Sequence, residues 1–246
     1  MASLTTGNVV GLSSSALGGL STGNLVVLSP QLLGAMTSAQ LAGLTSDQIS
    51  SLGSAQLAAL SSIQLNAFTT GALASLTTGN VVGISSSALG GLSTVNLAAL
   101  APQLFGAMTS AQLAGLKSNQ ATALSTSQIV ALTTENISGL TGAFVGKMSN
   151  ENFEKINGLN FSKLSTGVMS NLTPSQINNL SLDQLSNITA YQFSAFSRPQ
   201  VAALDPFGLF ALNSTIIPNM TIDQISGLTA TQIENFTPTQ LTQLLL

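Results

Sequence analysis

The sequence predicts an all-α solenoid made of single-turn helices, with one helix in each eight-residue repeat. Three observations predict this fold class: an unbroken eightfold spacing of apolar residues, a helix-capping signal in each unit, and prolines that favour one helix-compatible position. Every eighth residue from Leu4 to Leu244 is apolar, and a second apolar series runs from Val9 to Leu241. We number each octad from 1 to 8, with the two apolar series at positions 1 and 6.

Positions 2 and 5 of the octad carry a helix start signal. Position 2 is Ser or Thr in most units, and these residues cap helix N-termini. Position 5 is Gln or Asn in most units, where the side-chain oxygen can accept a hydrogen bond from the backbone N–H of position 2 and complete a capping box. Position 3, the first helical residue, holds five of the prolines, because a missing N–H costs nothing there: Pro30, Pro102, Pro174, Pro206 and Pro238.

Position 8 is often Gly or Asn, as at Gly83 and Asn179. These two residue types tolerate a left-handed backbone better than any others. We therefore expect each helical turn to end at position 8 in a left-handed residue, after which the chain bends into the next octad.

A β-solenoid is the main alternative, because repeats rich in Ser, Thr and Gly also form that fold. Positions 1 and 6 are an odd number of residues apart, so they would point to opposite faces of an unbroken strand. Gln and Ala are also poor strand formers. One continuous helix is excluded, because an apolar residue at every eighth position would wind around the helix and leave no single buried face.

The repeat runs through the chain without a change of phase, which predicts one continuous octad solenoid over residues 1–246. Residues 3–46 and 75–118 are nearly identical at an offset of nine octads, which indicates an internal duplication. A nine-octad insertion restores the spatial phase of a coil that holds three octads. We therefore expect three octads per coil.

Composition argues against several classes of function. The chain has no His and no Cys, and its few carboxylates are scattered over the repeat, so we expect no enzyme, no metal site and no cofactor. Charged residues make up 5% of the chain and the net charge is -3, so no basic patch exists for nucleic acid. The apolar runs are too short to span a bilayer, and the sequence following Met1 shows no cleavable signal peptide.

The octads at residues 4–11, Leu-Thr-Thr-Gly-Asn-Val-Val-Gly, and at 172–179, Leu-Thr-Pro-Ser-Gln-Ile-Asn-Asn, show the repeat clearly. They resemble the Leu-Thr-x-x-Gln-Ile-x-x octad arrays of large bacterial surface and secreted proteins, which are often adhesin-like or biofilm-associated. The resemblance covers essentially the whole chain. It implies an extracellular or cell-surface location, with cell-surface or matrix components as possible partners.

Solenoids normally need terminal units with polar outer faces, and this sequence has regular octads at both ends. We therefore expect a structural subunit of an extracellular filament or matrix fibre, which polymerises head-to-tail with itself. The predicted self-assembly interface consists of Leu4, Val9, Leu12, Phe236, Leu241, Leu244, Leu245 and Leu246. The alternatives are an adhesion or binding spacer module of a larger surface protein and, with less support, an ice-binding solenoid.

Overall fold

The computed structural model describes residues 4–244, and their regular elements are short α-helices and 3-10 helices without any strand. The all-α solenoid class is therefore confirmed, and the β-solenoid alternative is wrong. The chain forms two compact units, Met1–Ala131 and Leu132–Leu246. Each unit repeats the same octad geometry. The single continuous array over residues 1–246 stays a prediction from the sequence.

The first unit contains one short helix in nearly every octad. Its 3-10 helices span Val9–Gly11 and Ser118–Ala123. Its α-helices span Ser14–Gly18, Thr22–Val26, Pro30–Ala35, Ser38–Leu41, Ser46–Ser51, Ser54–Ala58, Ser62–Leu65, Thr70–Ala74, Thr78–Val81, Ser86–Gly90, Thr94–Ala98, Pro102–Ala107, Ser110–Ala114 and Thr126–Val130. Such short helices are unstable in isolation, because the entropic cost of nucleating a helix exceeds the stabilisation that one turn of hydrogen bonds provides. Packing between coils must therefore hold them.

The second unit follows the same plan. Its 3-10 helices span Ile137–Gly139, Pro206–Ala211 and Ile217–Asn219. Its α-helices span Gly142–Val145, Asn150–Glu154, Gly158–Phe161, Thr166–Met169, Pro174–Asn178, Leu182–Asn187, Ala190–Phe193, Arg198–Ala202, Ile222–Ile225, Ala230–Glu234 and Pro238–Leu244.

Successive coils are related by a spacing of three octads: Ser110–Ala114 packs on Ser86–Gly90, three octads before it, and Ser86–Gly90 packs on Ser62–Leu65. Within each unit this confirms the expectation of three octads per coil, and the nine-octad duplication corresponds to three whole coils. The side-chain amide of Gln112 reaches the carbonyl of Ile84, 28 residues earlier, and that of Val81, 31 residues earlier. These two carbonyls lie on either side of an octad boundary, so position 5 of one octad lies over the joint between two octads of the preceding coil.

Positions 1 and 6 form the apolar core of both units. Position-6 side chains such as Leu89 and Phe161 are completely buried, and position-1 side chains such as Leu100 are nearly so. The phenylalanines at these positions belong to the core: Phe68, Phe105, Phe153, Phe161, Phe193, Phe196 and Phe236. Burial of one such side chain contributes about 1.5–3 kcal/mol. Many coils together can therefore stabilise helices that no single octad could maintain.

The capping boxes predicted at positions 2 and 5 are confirmed. In the octad 108–115, the hydroxyl of Thr109 accepts from the backbone N–H of Gln112 at 3.2 Å. The side-chain Oε1 of Gln112 accepts from the backbone N–H of Thr109 at 2.8 Å. The same reciprocal pair occurs at Thr45 and Gln48 and at Thr173 and Gln176. These bonds depend on local sequence alone, because all their partners lie within one octad.

The prediction of left-handed residues at position 8 is wrong. Every described residue, glycines included, has a negative φ. Gly115 and Asn179 remain close to helical geometry, and the chain changes direction at position 1, where Leu52 is extended with φ -62 and ψ 137. Position 8 therefore needs glycine for a reason other than backbone conformation.

Candidate functional site

The most regular chemical feature of the chain is a column of buried side-chain amides at position 5. Each Gln uses its oxygen for the capping box in its own octad and its NH2 group for the preceding coil. Gln112 Nε2 donates to the carbonyls of Val81 and Ile84 at 2.8 and 2.7 Å, and Gln192 Nε2 donates to those of Phe161 and Leu164 at 2.8 Å each. We call this column the amide ladder. It links every coil that carries Gln to the coil before it.

Sequence reasoning assigned position 5 to capping and missed the bond between coils. The absence of Glu, which also completes capping boxes, from position 5 gave no signal, because the whole chain contains only four Glu residues. The bond between coils joins residues about 30 positions apart, and no pattern within one octad reports it.

Asn at position 5 makes the same contacts over longer distances, because its side chain is one methylene shorter. Asn80 Oδ1 accepts from Thr77 N at 2.9 Å, whereas Asn80 Nδ2 lies 3.3 Å from the carbonyl oxygen of Ile49 and 3.2 Å from that of Leu52. The corresponding distances from Gln112 are 2.8 and 2.7 Å. Asn80 is therefore a weak place in the amide ladder.

We expect the substitution Asn80→Gln to raise the free energy of unfolding by about 0.5–1 kcal/mol, because the longer amide closes these bonds to normal length. Urea unfolding followed by circular dichroism measures this change. Asn8→Gln is the matched control, since Asn8 is the counterpart of Asn80 in the duplicated octad and is exposed, whereas Asn80 is buried. An unfolding midpoint for Asn80→Gln that is no higher than that of the wild type would contradict the assignment.

The glycines at position 8 lie where consecutive coils approach most closely. A Cβ atom on Gly83 would collide with the backbone of Ser54, and one on Gly115 would collide with that of Ser86. Both serines occupy position 3 of the octad. Glycine is required at these sites because the neighbouring backbone occupies the space of a side chain. This explains the composition of position 8 without any unusual φ.

Position-8 asparagines have a different role. The side-chain Nδ2 of Asn171 donates to the carbonyl of Gly167 at 2.8 Å, and that of Asn235 donates to the carbonyl of Thr231 at 2.8 Å. Both acceptors lie four residues earlier, at the second residue of the same short helix. These amides therefore satisfy carbonyl groups that a one-turn helix leaves without a partner.

The internal duplication places the same octads in two different environments within the first unit. Leu4 and Leu12 are half-buried, but their counterparts Leu76 and Ile84 are 3% and 1% exposed. Gly11 has open space where its Cβ would be, whereas its counterpart Gly83 meets the backbone of Ser54. The difference is that residues 76–99 pack on the coil before them, through helices that lie three octads earlier. We call the exposed side of residues 4–27 the first-coil face.

Residues 220–244 expose the opposite side of a coil, the side on which the next coil packs in the interior. Position-6 side chains are fully buried elsewhere, but Ile225 is half-buried and Ile233 and Leu241 are 38% and 37% exposed. The position-3 residue Ile222 is 87% exposed, where Ser54 in the interior lies against Gly83. We call this surface the last-coil face.

The predicted self-assembly residues are divided between exposed and buried positions. Leu4, Leu12, Leu241 and Leu244 retain accessible surface, whereas Val9 and Phe236 are buried within their own chain. These two side chains therefore offer no surface to a partner, because the chain's own core already covers them. Leu245 and Leu246 lie outside the described residues.

Titratable groups do not converge on a reaction centre. No cluster of three or more acidic residues that could hold a metal ion occurs among residues 4–244. Hydrogen bonds from the side chain of Thr133, from the backbone and from the side chain of Thr134 hold the pKa of the exposed carboxyl of Glu135 below its usual value.

Among residues 4–244, every helix is too short or too polar to cross a membrane.

Comparison with known proteins finds likeness to repeat proteins. Residues 31–62 and 105–142 match the ALTTAQ repeat family, so the match covers less than half of the chain. Among solved structures, the chain is similar to the leucine-rich repeat-containing protein LegL7 from Legionella pneumophila, at 13% identity and a TM-score of 0.23, over 90% of this chain and 79% of that one. No curated protein matches the sequence.

Proposed function

We propose that this chain is a structural subunit of an extracellular filament or matrix fibre and polymerises head-to-tail with further copies of itself. The observation that carries the proposal is the pair of complementary faces. Position-1 side chains that are buried in the interior retain accessible surface on the first-coil face, and position-6 side chains do so on the last-coil face. A contact between two different faces is heterologous, and it gives an open filament when its rotation does not close a ring.

The low charge of the chain favours association between copies. Charged residues make up 5% of the chain and the net charge is -3, so long-range repulsion between copies is weak. The amide ladder needs neither ions nor cofactors, so its contacts can form wherever two coils meet. The extracellular or cell-surface setting rests on the likeness to octad arrays of bacterial surface and secreted proteins. Components of that surface or matrix are further candidate partners.

Sedimentation velocity and electron microscopy of the purified 246-residue chain test this proposal. We expect the mean sedimentation coefficient to rise with concentration and the micrographs to show unbranched fibres of uniform width. The measurement should cover at least a hundredfold range of concentration at low and at high salt. A single monomeric species throughout that range would contradict the proposal.

An adhesion or binding spacer module is the second candidate, and exposed aromatic residues in the second unit favour it. Phe207 and Tyr191 are 70% and 77% exposed, and both occupy position 4 of the octad. The sequence analysis did not single out these two residues, because it considered the apolar residues of positions 1 and 6. Short discrete particles in the micrographs, without fibres, would favour this candidate.

Ice binding has the least support of the three. An ice-binding surface needs regular hydroxyl groups that are free to order water, but hydroxyls at position 2 accept backbone hydrogen bonds instead. Thr45 and Ser61, for example, each accept from the backbone N–H three residues later, at 3.3 Å in both cases.

A further inference from the structure

The duplicated segment shows how the first-coil face packs when another coil precedes it. Residues 76–99 repeat residues 4–27 with few changes, and their helices pack on Ser54–Ala58, Ser62–Leu65 and Thr70–Ala74. Asn80 Nδ2 lies 3.2 Å from the carbonyl oxygen of Leu52, and the backbone of Gly83 fits against Ser54. The first-coil face presents the same chemistry to solvent. The first-coil face is therefore equivalent to the surface with which its duplicate packs on the coil before it.

The last-coil face supplies the opposite surface. Interior position-6 residues such as Leu57 and Leu65 are fully buried. On the last-coil face, Ile225, Ile233 and Leu241 retain accessible surface. The two faces are thus unlike each other and complementary, so a second copy of this chain satisfies both.

We propose that the first-coil face of one copy packs on the last-coil face of another as residues 76–99 pack on the coil before them, with Gly11 as the point of closest approach. This inference rests on the proposed head-to-tail assembly and specifies its contact residues. In the interior, a position-8 glycine lies against a position-3 residue of the coil before it, as Gly83 lies against Ser54. At the junction, Gly11 takes the place of Gly83, and an exposed position-3 residue of the last-coil face, such as Ile222, takes the place of Ser54.

Gly11 gives a clean test because nothing in its own chain lies within 4 Å of the place for a Cβ. The variant Gly11→Val should fold like the wild type, with the same circular dichroism spectrum and thermal midpoint, yet associate at least tenfold more weakly. Gly71→Val is the matched control, since Gly71 also has open space around its Cβ position and lies in neither face. It should fold and associate like the wild type.

A second variant blocks the opposite face. Ile222→Glu places a charge on the last-coil face, and we expect it to weaken association at least tenfold. Leu159→Glu is its control, because Leu159 is 66% exposed at a position outside both faces.

Each of the two face-blocking variants, Gly11→Val and Ile222→Glu, should remain monomeric when it is alone. An equimolar mixture of Gly11→Val and Ile222→Glu should form a one-to-one dimer that does not grow, because each copy retains one working face.

The outcomes separate the inference from the proposal on which it rests. A wild-type chain that stays monomeric overturns both. Fibres that form equally well with Gly11→Val overturn the inference and leave the assembly proposal standing. A mixture of the two blocked variants that gives no dimer also overturns the inference, because it shows that the two faces do not bind each other.

Discussion

Alanine at position 83 should destabilise the first unit by about 3 kcal/mol or more, whereas alanine at position 11 should leave its stability unchanged or slightly raised. Both glycines occupy position 8 of the same octad sequence, 72 residues apart in the duplication. At position 83 the new methyl group would overlap the backbone of Ser54, which cannot move without separating two coils. At position 11 the space is open, and replacing Gly by Ala favours a helical backbone by up to about 1 kcal/mol.

Urea unfolding of Gly83→Ala and Gly11→Ala, each compared with the wild type, measures this difference. The two variants have the same composition and the same local sequence, so effects on the unfolded chain largely cancel between them. Protein concentration must be kept low enough that assembly does not add to stability. Equal midpoints for the two variants would show that coil contact does not explain glycine at position 8.

The second large effect concerns the amide ladder: Gln112→Glu should cost about 3 kcal/mol or more at pH 7. The change is nearly isosteric, so packing is preserved. One carboxylate oxygen can still accept from the backbone N–H of Thr109, but the other would face the carbonyls of Val81 and Ile84, which Gln112 Nε2 now approaches at 2.8 and 2.7 Å. Three oxygen atoms would then meet without a hydrogen between them.

Protonation relieves this conflict, so the loss should depend on pH. The folded state favours the neutral carboxyl, which raises the pKa of the introduced glutamate in the folded variant above its unfolded value of about 4.3. Below the unfolded pKa both states are protonated and the loss is smallest. As the pH rises from there towards the folded pKa, the variant loses about 1.4 kcal/mol for each pH unit, and above the folded pKa the loss is complete.

The control for this prediction is Gln112→Leu, because leucine occupies position 5 naturally at Leu104. It removes the donor without adding a charge, and we expect a loss of about 1–3 kcal/mol that does not change with pH. Unfolding should be measured from about pH 3.5 to about pH 8 for both variants and for the wild type, a range that begins below the unfolded pKa of a glutamate. If the difference between the Glu and Leu variants stays constant over that range, position 5 does not face carbonyl groups as described.

Features that depend on one octad could be predicted from the sequence. The cap at Thr109, the reciprocal bond from Gln112 and the burial of positions 1 and 6 all follow from residues that lie within eight positions of each other. Capping preferences and apolar spacing are local rules, so a single sequence is enough to apply them.

Features that depend on the next coil could not be predicted in the same way. The donor role of Gln112 and the crowding at Gly83 involve partners about 30 residues away. The duplication predicts three octads per coil, but it does not specify which residues of two stacked octads meet, so those partners could not be identified. The left-handed conformation expected at position 8 was wrong for this reason: a contact between coils selected glycine, and a local conformational rule was applied instead.

The place of the amide ladder has a mechanical consequence. Each helix packs on the helix three octads before it, but its position-5 amide reaches back to the joint that precedes that helix. A single amide, such as that of Gln112, spans the joint between the octads of Val81 and Ile84. Tension that would open this joint must therefore also break hydrogen bonds to the adjacent coil, so each coil reinforces the joints of the coil before it.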